Sequence, residues 1–146
     1  MRTITHLIIH CTATRADRPL TVDALRAAHR SRGFRDVGYH FYVRRDGTVH
    51  QTRPLAQVGA HALGFNAHSL GLAYEGGLDT AGRPCDTRTP EQRTALRALA
   101  ARLLRRFPAA RLCGHRDLSP DLNGNGTIEP HEWQKQCPCF NVATEF

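Results

Sequence analysis

Residues 3–10 read TITHLIIH, and the fold class depends on how they are taken. Leu7, Ile8 and Ile9 make a short apolar run that begins in alternation and stops at His10 and Cys11. A run this short and this rich in β-branched residues reads as a buried strand. It is too short for the roughly 20 apolar residues of a membrane helix, and it lacks the layout of a secretory signal. The expectation is a chain made in the cytoplasm with no membrane insertion, reaching other compartments by release or by a separate export route.

Outward from that strand, helix and strand signals alternate. TVDALRAAHRSRG (21–33) has Thr21 at an N-cap, Asp23 in the first turn and Gly33 at the end, the punctuation of a helix. YHFYVRRDGTVHQTR (39–53) is two alternating runs around Asp46-Gly47, a hairpin. SLGLAYEGG (69–77) reads as another strand. TPEQRTALRALAARLLRRFP (89–108) opens with Thr89, Pro90 and Gln92, a capping-box start, and places Leu96, Leu99, Leu103 and Leu104 on one face. ARLCGH (110–115) reads as a last strand and EPHEWQKQ (129–136) as a short terminal helix. With no linker, repeat or low-complexity tract, the expectation is one α/β domain over 1–146, a central mixed β-sheet flanked by helices.

Composition bounds the function classes. The 146 residues are 40% apolar and 23% charged, with a net charge of +7. That excess suits a polyanionic partner such as an acidic cell wall or nucleic acid, or simply a solvated arginine surface. Five cysteines are an odd number for a disulfide framework, so thiols or metal ligands are expected. Nineteen of the twenty basic side chains are arginine; the single lysine, Lys135, stands two residues before Cys137.

Of nine histidines, His6, His29, His50 and His131 need no special role. His10 and His115 each end an apolar strand, and Cys137 lies beyond a turn stiffened by Pro138. Two imidazoles and a thiolate with a fourth position open make a catalytic zinc site. Spacing alone leaves a rival: Cys113, His115, Cys137 and Cys139 as a closed structural zinc with no hydrolysis. Separately, DLNGNGTIEPHE (121–132) matches a calcium loop of EF-hand type, with Asp121, Asn123, Asn125, Gly126, Thr127, Ile128 and Glu132 at the loop positions. A plain Asn-Gly turn is the other reading, since Pro130 sits in the loop and no entering helix precedes it.

LIIHCTAT, VGYHFYVRRDGTV, VGAHALGFNAHSLGLAYEGG, TPEQRTAL, GHRDLSPD and KQCPCFNV, in that order, resemble the zinc-dependent N-acetylmuramoyl-L-alanine amidases, the family of small phage amidases and peptidoglycan recognition proteins. The resemblance spans Ile4 to Val142. It implies zinc held by His10, His115 and Cys137, with Tyr39 and Lys135 as catalytic partners. It implies hydrolysis of the amide between N-acetylmuramic acid and L-alanine, in endolysin-like lysis of the cell wall. It implies a groove for the glycan-peptide strand, with His61, Asn66 and His68 along it. The implied partners are peptidoglycan or a muropeptide and an anionic wall surface, met by a monomer. Some relatives carry a carboxylate base on the strand matching GLAYEGG; Ala73 takes that position here, leaving Glu75, two further on, as a substitute. Two other classes are a non-catalytic peptidoglycan-binding module, which Cys137 argues against, and a basic nucleic-acid binder with a structural zinc, for which no recognition motif is present.

Overall fold

In the computed structural model, which describes residues 1–146, the opening run is strand β1, His6–Cys11. A two-residue strand β2, Thr14–Arg15, follows. Helix α1, Val22–Ser31, begins where Thr21 accepts the amide of Ala24. Strands β3, Phe41–Val43, and β4, Val49–Gln51, form the expected antiparallel hairpin. Its turn uses Gly47 at φ 87°, a left-handed conformation that costs glycine little. Strand β5 is Ser69–Tyr74, β6 is Gly77–Leu78, α2 is Pro90–Arg106 and β7 is Arg111–Gly114.

The main sheet runs β4-β3-β5-β1-β7, parallel throughout except for β4. Every residue of β5 is buried, as expected of a central strand covered on both faces. Alternation divides the sheet. Leu7, Ile9, Leu70, Leu72 and Tyr74 point to the face covered by Leu96, Leu99 and Leu103 of α2. His10, Tyr42 and Ala73 stand on the other face, where Leu25 of α1 joins Tyr42 and Ala73. The capping box of Thr89 and Gln92 forms as read, and the Gln92 amide also donates to the carbonyls of Val43 and Glu75. The start of α2 is thereby locked to the ends of two strands.

The terminal helix expected over 129–136 does not form. Only a single 3-10 turn, Pro130–Glu132, is present. Trp133 is extended, and the Gln134 amide is taken by the Ser119 hydroxyl at 3.1 Å instead of a helical carbonyl. Lys135 therefore lies on an exposed, irregular segment. The last helix, α3, is Val142–Glu145, capped by Asn141. β2 and β6, too short to read in the sequence, pair as a small second sheet.

Candidate functional site

The C-terminal ends of parallel strands carry the convergence of side chains, as open α/β sheets favour. His10 comes from the end of β1 and is 2% exposed. His115 follows β7 directly, its ring 4.6 Å from that of His10. Cys137 arrives from the C-terminal segment, whose turn is held at three points. Arg116 donates its amide to the Cys137 carbonyl at 2.9 Å, Cys139 to that of Gln136 at 2.7 Å, and the Tyr74 hydroxyl to that of Pro138 at 2.6 Å. The Cys137-Pro138 bond is cis.

The ligand atoms of His10, His115 and Cys137 lie within 4.8 Å of one another. His10 Nδ1 is 3.8 Å from Cys137 Sγ. Zinc–nitrogen and zinc–sulfur bonds of roughly 2.0–2.1 and 2.3 Å, set tetrahedrally, would span about 3.6 Å. The donor set suits a zinc-type ion. Protonation fits too. Burial, then the facing His61 and His115 and the Lys135 ammonium, keep His10 well below the ordinary imidazole range. Burial and Lys135 bring His115 down to about 4. Both rings are neutral and able to ligate. The Cys11 amide donates to Cys137 Sγ at 3.2 Å, which holds the sulfur against the end of β1. Neither Cys113 nor Cys139 belongs to this group, whereas His10 does, so the closed four-ligand site is not formed.

Tyr39, just before β3, packs its ring between His10 and His29, with centroids 5.2 and 5.3 Å away. His29 is fixed in turn by the Gly38 amide at 2.8 Å. Burial pushes the Tyr39 phenol far up, so it stays protonated. Lys135 lines a cavity of about 460 Å³ together with His61, His115, Asn66, Arg32 and Arg116. The Arg116 guanidinium stacks on Trp133 at 3.7 Å and that of Arg32 on Phe34 at 5.0 Å. This gives the groove cationic walls backed by aromatic rings.

The three groove residues read from the sequence separate. His61 and Asn66 reach the cavity, but the Asn66 oxygen accepts the amides of His61 and Ala62, both at 2.9 Å. His68 stands at the opposite end of β5, its ring 3.2 Å from the Thr3 carbonyl. Glu75 is 1% exposed and fully engaged. It pairs with Arg44 at 2.6 Å and accepts the amides of Arg45 at 3.0 Å and Leu20 at 2.7 Å. Those bonds engage both oxygens and Glu75 does not line the cavity, so it does not take the place of the family carboxylate.

The loop 121–132 is built on Asp121, whose oxygens accept the amides of Gly124 at 3.0 Å and Gly126 at 2.7 Å. Asn123 and Asn125 accept the amides two residues on, those of Asn125 and Thr127. Glu132 closes the loop from the buried side, accepting from the amides of Leu122, Asn123 and Glu129.

Comparison with known proteins gives the family and the fold. A family model described as N-acetylmuramoyl-L-alanine amidase matches residues 1–139. The endolysin of Klebsiella phage KP32 is 38% identical over 136 residues, 93% of this chain and 81% of that protein. Among solved structures, the N-acetylmuramoyl-L-alanine amidase LysC from Clostridium intestinale URNW is 31% identical with a TM-score of 0.74, covering 99% of this chain and 82% of its own. A mutant of Drosophila PGRP-LB in complex with tracheal cytotoxin has a TM-score of 0.70 at 21% identity, covering 94% and 76%, a likeness of fold.

Proposed function

The chain belongs to the N-acetylmuramoyl-L-alanine amidase family, and from that we propose that it is a zinc-dependent hydrolase of the muramoyl–L-alanine amide in peptidoglycan. The observation that carries the reading is the meeting of His10, His115 and Cys137 at the end of the sheet, beside a cationic groove that holds Lys135. The whole of 1–146 serves as one catalytic domain, acting as a monomer on the cell wall. Zinc bound by those three residues would supply Lewis-acid polarisation of the carbonyl and lower the pKa of water towards about 7.

The chain's own side chains do the rest. Amide hydrolysis develops negative charge on the carbonyl oxygen, and a preorganised donor at that oxygen stabilises it. Lys135 brings a compact ammonium to the groove beside His115. Tyr39, kept protonated by burial, brings a phenolic donor beside His10. Arg32 and Arg116 would orient an acidic stem peptide, and their stacking on Phe34 and Trp133 keeps the guanidinium planes in place. No helix is long and apolar enough to cross a membrane. The net positive charge would gather the protein at an anionic wall surface. Calcium is the second proposed ion, at Asp121, Asn123, Asn125, Thr127 and Glu132. Supporting it are the sharp turn at Gly126 and the alternating side-chain oxygens. Millimolar calcium should raise the melting temperature of zinc-loaded protein, and Asp121→Ala should remove the rise.

Zinc-loaded protein added to purified walls should release free amino groups without new reducing sugars. A chelator should stop the release and added zinc should restore it. Reducing ends appearing in place of amines would replace the amidase reading with a glycosidase.

A further inference from the structure

Behind His10, on the side away from Cys137, lies a second histidine that the chemistry above does not use. His61 Nδ1 is 2.8 Å from His10 Nε2, and its own Nε2 is 3.2 Å from Ser69 Oγ. We propose that His61 is a positioning residue for the metal ligand His10, with Ser69 hydrogen-bonded to its far nitrogen. The inference rests on His10 being a metal ligand, as proposed above.

A neutral imidazole has one donor and one acceptor nitrogen. His10 turns Nδ1 to Cys137, so that atom must keep its lone pair for a metal and the proton must sit on Nε2. That N–H points at His61 Nδ1, which can accept only if the His61 proton is on Nε2. The His61 Nε2–H then donates to the Ser69 hydroxyl. The opposite tautomer of His61 would set two N–H groups face to face at 2.8 Å in a buried site, leaving a donor unmade. One assignment satisfies the whole row. A ligand histidine whose second nitrogen is held this way keeps its ring orientation and gains basicity.

The surroundings are shaped for this ring. A Cβ added at Gly71, in the middle of β5, would fall 2.6 Å from His61 Cγ, and one at Gly59 would fall 2.8 Å from His61 Cδ2. Glycine inside a strand marks close approach of another group, and here that group is the His61 imidazole. Asn66 holds the His61 backbone through the amides of residues 61 and 62. The two rings meet edge to face, centroids 4.9 Å apart at 88°.

The test measures zinc affinity by chelator competition on the full chain, with folding followed by circular dichroism. Wild type should bind one zinc; binding none would overturn the metal reading itself, a failure distinct from that of His61. His61→Leu should weaken zinc roughly 10- to 100-fold. His61→Asn, which sets an amide oxygen near the place of Nδ1, should recover most of that loss. If His61→Leu binds zinc as tightly as wild type, or His61→Asn binds as weakly as His61→Leu, the proposal fails. Should the leucine variant not fold, nitrogen-15 NMR of zinc-loaded wild type decides alone. Protons on Nε2 of both His10 and His61 are expected, and a proton on Nδ1 of His61 would refute the relay.

Discussion

Glu75→Gln separates a structural carboxylate from a catalytic one. Glu75 Oε1 accepts from the Arg44 guanidinium and the Arg45 amide, and Oε2 from the Leu20 amide. Glutamine keeps one acceptor oxygen and turns an NH2 against a donor at the other. A buried donor left unmade costs about 1–3 kcal/mol. Breaking a buried ion pair costs roughly 3–5 kcal/mol, but the Arg44 side chain is 25% exposed, and water there recovers part of the loss. A net destabilisation of about 3 kcal/mol follows. At an unfolding entropy of about 2.1 cal/mol/K per residue, a chain of 146 residues should lose about 10 °C in melting temperature. Calorimetry of the zinc-loaded variant reads the shift, and wall turnover at room temperature should stay near wild type. An unchanged melting temperature with a hundredfold loss of turnover would show that Glu75 takes part in the chemistry.

Lys135→Arg keeps the charge and changes shape, hydration and proton affinity. It should fold and bind zinc while losing most of its activity, up to the hundred- to thousandfold typical of one lost oxyanion donor; full activity would remove Lys135 from the mechanism. Cys137→Ser should lose most of its zinc by elemental analysis, whereas Cys113→Ala and Cys139→Ser should retain it; zinc lost from both of those variants but kept by His10→Ala would restore the closed site. His40 gives a pH test, because burial brings its ring down from 6.5 to about 4. The unfolded chain takes up that proton first as pH falls, so stability is full above about pH 6.5. It then declines towards about pH 4 by roughly 1.4 kcal/mol per pH unit for this group. A urea midpoint that stays level across that window would contradict the assignment.

What was legible in the chain follows the range of the interactions. The β1 run, the Asp46-Gly47 turn and the Thr89 capping box are set by neighbours a few residues apart, and each forms as read. The segment after Glu132 is set by distant partners. Ser119 takes the Gln134 amide, and the chain extends towards Cys11 to bring Cys137 to β1, so helical propensity there is overridden. The same limit applies to the site. Strand ends marked His10 and His115, and residue chemistry offered Cys137 as a third ligand. Spacing left the closed cysteine site as a rival, and only the resemblance chose between them and singled out Tyr39. His61 was placed along the groove, since nothing local shows that Gly59 and Gly71 open a slot for its ring. Alternation put Glu75 on the face of Ala73, but an arginine on the neighbouring strand segment claims it.

Hydrolysis of purified peptidoglycan in oxygen-18 water, followed by mass spectrometry of the products, tests the central claim most directly. Stem peptides with a free, unlabelled L-alanine amine are expected, together with N-acetylmuramic acid whose lactyl carboxylate carries one oxygen-18. Label at a sugar reducing end, with the muramoyl–L-alanine amide intact, would contradict it.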